Sequence, residues 1–355
     1  MNTKSLVIGL FLSLAIVIGN TNADAKKPVQ EPSIELLVSG LAGGSGSAIG
    51  PDGALYVTEA HAGRISRVDP ETGEITTFAS GLPLRMPGFP FGGVVDVAFI
   101  GKTAYALVTL VGTDVGGNDI VGIYRVDGPN SFTVVADIGE FNSQNPPTIP
   151  FPFFVPSGAQ YALENFRGGF LVTDGHLNRV LQVNLKGEVA EVIGFPNIVP
   201  TGIAVSGNTV YVGEAGPVPH LPENGRVLSF EFKASECGID AKPAHGKSQG
   251  KKKCVGSRVA AGEPLIVDVE FGHGHRLYAL SQGPGQLGAP DGTPAVPNTG
   301  ALVEVNENGT FTLVVEGLDQ PTSLEFIGNT AYVVTYGGEI WKIDNVSAPP
   351  FGASH

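Results

Sequence analysis

The feature that most restricts this chain is a repeat. Residues 48–82, AIGPDGALYVTEAHAGRISRVDPETGEITTFASGL, carry four short runs of alternating apolar residues, separated by turns such as Pro51-Asp52-Gly53 and Pro70-Glu71-Thr72-Gly73. Period-two alternation bounded by Gly, Pro and Asp predicts an antiparallel meander of four strands rather than a helix. The second strand of this unit carries a triplet that recurs along the chain: Leu55-Tyr56-Val57, Ala104-Tyr105-Ala106, Phe170-Leu171-Val172, Val210-Tyr211-Val212, Leu277-Tyr278-Ala279 and Ala331-Tyr332-Val333. Six divergent copies, roughly 55 residues each, predict an all-β six-bladed β-propeller with loop insertions. The 50 Gly, 27 Pro and 15% charged residues agree with a chain of strands and turns.

The ends of the repeat series are complementary. After Trp341-Lys342-Ile343-Asp344 the last unit has no fourth strand, whereas residues 34–41, IELLVSGL, resemble the fourth strands ITTFASGL (75–82) and TLVVEGL (312–318). An N-terminal strand is therefore expected to complete the sixth blade and cover its open edge. Before it, Lys4, an apolar run over 6–18 and Ala23-Asp24-Ala25 fit a cleaved leader, too short to span a bilayer, which takes about 20 residues. The expected organisation is a signal peptide at 1–25 and one propeller domain at 26–355, secreted or periplasmic, with no integral membrane span once the leader is removed. An insertion at 233–262, between the third and fourth strands of blade four, contains Cys237 and Cys254. An exported chain can oxidise this pair to a disulfide; a metal pair or free thiols are the alternatives. The formal net charge of −13 argues against a nucleic-acid partner.

Short connections join first to second strands, as in Gly101-Lys102-Thr103, while second-to-third and blade-to-blade connections are long. The long ones share one rim, so function is expected there. Blades one and three end their second strands in related patterns, Thr58-Glu59-Ala60-His61 and Thr173-Asp174-Gly175-His176, and blade four echoes them with Glu214 and His220. These carboxylates and imidazoles are the donor types a divalent cation such as calcium, or a transition metal, takes, and they also suit general acid–base work; equally, the acidic residue can satisfy backbone donors inside each blade. No catalytic residue, metal ligand or cofactor is dictated. Phe89, Phe91, Phe151 and Phe153 sit in Pro-rich loops on the same rim, suited to a small apolar or aromatic ligand or a protein partner. Ser157, Thr201 and Thr322, at the starts of first strands, are expected to line the channel.

The segments Gly50-Pro51-Asp52-Gly53-Ala54-Leu55-Tyr56-Val57-Thr58-Glu59 and Pro200-Thr201-Gly202-Ile203-Ala204-Val205, the latter leading to Val210-Tyr211-Val212-Gly213-Glu214, resemble the ScyD/ScyE family, named from a gene cluster for the extracellular pigment scytonemin. Residues 174–180, DGHLNRV, are also similar to an NHL-type blade. The resemblance implies an exported propeller, and the loop asymmetry and aromatic loops make it a binding or accessory protein. More distant propellers imply an alternative, a metal-dependent hydrolase, lactonase or lyase with its site at the channel mouth, although the Asn partners of a lactonase metal set cannot be placed here.

Overall fold

The structure is a computed structural model that describes residues 31–147, 155–217, 220–233, 256–289 and 292–347. The leader, Cys237 and Cys254, and Phe151 and Phe153 lie outside the described residues. Among the described residues no helix is long and apolar enough to cross a membrane.

Among the described residues, twenty-four strands form six four-stranded antiparallel sheets. After β1 (Ser33–Val38), blade one contains β2 (Gly44–Ile49), β3 (Leu55–Glu59), β4 (Arg64–Val68) and β5 (Ile75–Ser80). Blade two contains β6 (Gly93–Ile100), β7 (Thr103–Thr109), β8 (Gly122–Gly128) and β9 (Ser131–Asp137). Blade three contains β10 (Gln160–Phe166), β11 (Gly169–Asp174), β12 (Arg179–Val183) and β13 (Val189–Gly194). Blade four contains β14 (Pro200–Ser206), β15 (Thr209–Glu214), β16 (Arg226–Glu231) and β17 (Ser257–Ala261). Blade five contains β18 (Ile266–Gly272), β19 (Arg276–Ser281), β20 (Gly300–Val305) and β21 (Phe311–Leu318). Blade six is β22 (Pro321–Ile327), β23 (Thr330–Thr335) and β24 (Ile340–Asp344), completed by β1, whose Ser33 faces Asp344 and whose Leu36 faces Trp341. The fold is thus a six-bladed β-propeller, closed by its N-terminal strand.

The recurrent triplet has a packing cause. In every blade its middle residue faces the next blade and its flanking residues face the previous one. Tyr56 packs in the cluster between blades one and two with Ile65 and Val94, whereas Leu55 and Val57 pack with Tyr332 and Val334 of blade six. Leu171 and Phe170 divide the same way, as do Tyr278 and its neighbours. Six apolar clusters result, one per blade interface. A sheet buried on both faces needs apolar residues on both sides, so the triplet lacks polar members.

The inner strands pack side by side in a closed cycle, β2 to β6, β10, β14, β18, β22 and back to β2. Each carries a bulge against its second strand, for instance between Val94 and Asp96 and between Ile266 and Asp268. The bulge re-aims a polar side chain at the neighbouring blade. Asp96 accepts from Leu163 N (2.7 Å), Asp268 accepts from Leu324 N (2.8 Å), and Ser323 Oγ accepts from Ser47 N (3.0 Å). Gly46 and Gly202 make room for these carboxylates: a Cβ on Gly46 would lie 2.1 Å from Asp96 Oδ1, and one on Gly202 would lie 2.7 Å from Asp268 Oδ1.

Three details differ from the sequence reading. The fourth strand of blade four is Ser257–Ala261, inside the stretch assigned to the 233–262 insertion; Arg226 pairs with Ala261 and Ser229 with Ser257. It is five residues long, too short for alternation to stand out beside a Lys- and Gly-rich stretch. Secondly, a helix α1 (Ile138–Gln144) follows β9, with Asp137 accepting from Glu140 N (2.7 Å) as its N-cap. The Asp-x-x-Glu spacing at 137–140 is the signal that marks such a start. Lastly, Ser157 is buried away from the channel, its hydroxyl without a partner among the described residues, while Thr201 and Thr322 reach the cavity described next.

Candidate functional site

Glu59, Asp174 and Glu214 are the last residues of β3, β11 and β15, and all three are fully buried. Burial of a carboxylate demands partners. Glu59 accepts from Arg64 through both oxygens (2.7 Å each), from Ser66 Oγ (2.5 Å) and from Ala42 N (2.6 Å). These bonds outweigh burial and hold its pKa below the usual value. Asp174 accepts from Ala159 N (3.1 Å), Leu177 N (3.0 Å), Asn142 Nδ2 (2.7 Å) and Gln160 Nε2 (2.9 Å), and so ties α1 to blade three. Glu214 accepts from Arg226 Nε (2.7 Å), but its Oε1 has no partner among the described residues, and burial pushes its pKa up to about 7. The three carboxylates sit in three separate blades, and none lines the rim cavity. They do not fit one shared divalent cation, and among the described residues no group of three or more His, Cys, Asp or Glu is placed to hold a metal ion.

The histidines that follow them in sequence part company with the acids. His61, His176 and His220 all line one cavity of about 510 Å³ at the long-loop rim, together with Phe89 and Phe91. The reason is local: the acidic residue ends a strand that is buried on both faces, while the histidine lies in the loop beyond it. His176 Nε2 accepts from Val155 N (3.1 Å), which puts its proton on Nδ1. Burial lowers its pKa against the pull of Asp174 and Asp114. His220 Nδ1 donates to Gly216 O (2.8 Å), leaving Nε2 with the lone pair. The His61 ring lies edge-on to Tyr336, its centroid 6.2 Å away, and its pKa is lowered by burial and then by the charge of Arg85.

The aromatic loop at 83–92 crosses the rim. Phe91 stacks on Tyr161 of β10 (centroids 5.5 Å apart), Arg85 Nη1 donates to Tyr336 Oη (3.1 Å), and Tyr336 Oη donates to Pro90 O (2.9 Å). Tyr161, Thr322 and Ser45 form the cavity floor and also the ceiling of a second chamber of about 210 Å³ along the propeller axis. Tyr161 Oη donates to Thr322 O (3.3 Å) and Thr322 Oγ1 to Ser45 O (2.9 Å).

A central channel is expected from the sequence, and Thr322 lines it, but the acids there were not singled out. Asp96, Glu164, Asp268, Glu270 and Glu325 line it. They project from four different inner strands; Asp96 is buried and the other four are half-buried. Burial pushes Asp268 up to about 7 and Glu164 up to about 8, and drives Asp96, Glu270 and Glu325 well above the carboxylate range. A signal existed for three of them: Asp96, Asp268 and Glu270 interrupt otherwise apolar inner strands, GVVDVAFI (Gly93–Ile100) and IVDVEFG (Ile266–Gly272).

No protein-family model and no curated protein sequence matches the chain. Solved structures do. The chain is similar to a gluconolactonase from Xanthomonas campestris, with a TM-score of 0.58 and 10% identity over 89% of this chain and 90% of that one. It is similar to the PQQ-bound aldose sugar dehydrogenase of Streptomyces coelicolor, with a TM-score of 0.54 and 14% identity over 89% and 99%. It is also similar to a luciferin-regenerating enzyme, with a TM-score of 0.55 and 12% identity over 88% and 95%. Likeness at these identities establishes the architecture, a six-bladed β-propeller, and leaves its chemistry to the chain's own residues.

Proposed function

We propose that this protein is an exported binding propeller, of the kind its ScyD/ScyE resemblance suggests, that holds a small, largely apolar and partly aromatic molecule in the rim cavity. The observation that carries this reading is the cavity itself. Its volume of about 510 Å³ falls within the range of small-molecule sites, and its wall combines Phe89, Phe91, Leu110, Val155 and Val267 with a few polar groups. A protein partner would meet the same rim, but a concave apolar pocket suits a small molecule better.

The test is titration with the neutral fluorescent probe N-phenyl-1-naphthylamine. Saturable one-to-one binding is expected, weakened about tenfold by Phe91→Ala, the upper end of what one aromatic contact contributes. Absence of saturable binding, or indifference to both Phe91→Ala and Phe89→Ala, would remove the reading. Export is checked separately by the mass of protein recovered outside the cytoplasm, expected to begin after Ala25.

A second reading, a hydrolase or lyase, draws on the convergence of His61, His176 and His220 on the cavity. Lowered pKa values leave the first two neutral near pH 7, as a general base requires. His61 is the best placed for that role, since His176 spends its lone pair on Val155 N. Turnover of a lactone panel that disappears in His61→Ala would promote this reading over simple binding.

A further inference from the structure

The charge pattern of the rim cavity singles out one kind of ligand. The chain has 34 Asp and Glu residues and a net charge of −13, yet among the described residues no carboxylate lines this cavity. Arg85 is the one Lys or Arg among the described residues that does. Arg64, Arg67, Arg125, Arg179, Arg226 and Arg276 each pair with a carboxylate. Arg85 makes no ion pair among the described residues. Its Nη1 donates to two neutral acceptors, Phe89 O (2.8 Å) and Tyr336 Oη (3.1 Å), which fix the guanidinium while leaving its charge uncompensated. Its Nε and Nη2 have no hydrogen-bond partner among the described residues.

The position of Arg85 is built into the loop. Its backbone N donates to Ala60 O (3.0 Å), and Gly93, at φ +78°, lets the chain pass where a Cβ would lie 2.5 Å from Arg85 N. His61 stands beside it with both ring nitrogens free of hydrogen bonds among the described residues, and Phe91 on Tyr161 provides a flat aromatic wall in the same cavity.

We propose that the cavity selects an aromatic monoanion, a planar ring system bearing one carboxylate, sulfonate or phenolate, with the charge on Arg85 and the rings against Phe91 and Phe89. This rests on the binding reading above. An anion completes a guanidinium held in place by neutral groups, and bonds of this charge-assisted kind are about twice as strong as neutral ones. A cationic ligand finds no carboxylate among the described residues of the wall.

The experiment compares 8-anilino-1-naphthalenesulfonate with N-phenyl-1-naphthylamine, the same ring system without the sulfonate, on the full mature protein. The sulfonate is expected to bind at least about tenfold more tightly, the size of one charged hydrogen bond. Arg85→Gln should erase that difference and leave the neutral probe within about twofold, Arg85→Lys should keep part of it, and added salt should weaken the sulfonate alone. Melting curves establish that the variants are folded. Equal binding of the two probes, or a sulfonate preference that survives Arg85→Gln, overturns the anion assignment while the binding reading stands. If neither probe binds, both readings fall.

Discussion

Two chambers share the propeller axis and three lining residues, Ser45, Tyr161 and Thr322, yet their chemistry is opposite. Among the described residues, the axial channel holds five carboxylates and no Lys or Arg; the rim cavity holds Arg85, three histidines and no carboxylate. The channel is walled by inner strands, whose side chains the ring geometry forces together. The cavity is walled by loops, which can differ from blade to blade. Crowded acids on strands serve the ring: Asp96 and Asp268 each accept a backbone N–H of the next blade with one oxygen and of their own strand with the other. Sparse polar groups on loops remain open to a ligand. The same molecule thus separates a structural acidic core from a receptive, faintly cationic rim with one layer of side chains.

The strongest challenge to this division is removal of a channel latch. Asp268→Ala leaves the N–H groups of Val269 and Leu324 unsatisfied, and a loss of about 2–4 kcal/mol is expected in urea unfolding, with probe binding retained in the folded fraction. Asp268→Asn, which keeps one acceptor oxygen, should cost clearly less. An unchanged unfolding midpoint in Asp268→Ala would show that the channel acids are not structural. Next in size is removal of the partition. Tyr161→Ala loses its stack on Phe91 and merges the chambers, at a cost of about 2 kcal/mol. Binding of the anionic probe should then weaken as pH rises and the newly connected carboxylates ionise.

The pH dependence of stability is the third. The channel carboxylates have raised pKa values in the fold, so between pH 4 and 8, roughly, the folded state keeps protons that the unfolded chain has lost. Their contribution is therefore complete in acid and is lost as pH rises through the folded values. The melting temperature should fall from about pH 5 toward pH 9, and Glu325→Gln should flatten that slope by several degrees. A flat profile in the parent protein would mean that the acids are ionised throughout. The smallest effect belongs to His61→Gln. Exposed at the cavity mouth, it should change stability by less than about 0.5 kcal/mol and anionic-probe affinity by about twofold, measured in the same titrations.

Much of this molecule was legible as pattern. The apolar triplet repeated six times because each second strand is buried on both faces, and residues 34–41 announced themselves as a fourth strand without a blade. Loop lengths singled out the long-loop rim, where His61, His176, His220, Phe89 and Phe91 line one cavity. Glu59 and His61 are two residues apart and looked like members of one site. The structure sends Glu59 into the blade to Arg64 and Ser66 and His61 into the cavity, because a strand ends between them. Asp96, Glu164, Asp268, Glu270 and Glu325 went unremarked for a related reason. Alternation records that two faces of a strand differ, but not whether the polar face meets bulk water or the confined axis of a ring.

The sequence by itself determined the blade count, the order of strands and the closure at the N-terminus, because these follow from local periodicity and from an unmatched strand at each end. Only the tertiary structure decided where charge resides. Arg85 and its neighbours in the loop at 83–92 meet Tyr336 from blade six, and acids from four blades meet on the axis. Those encounters depend on closing the ring, which brings Arg85 and Tyr336 together across 251 positions, and no local pattern encodes such a meeting.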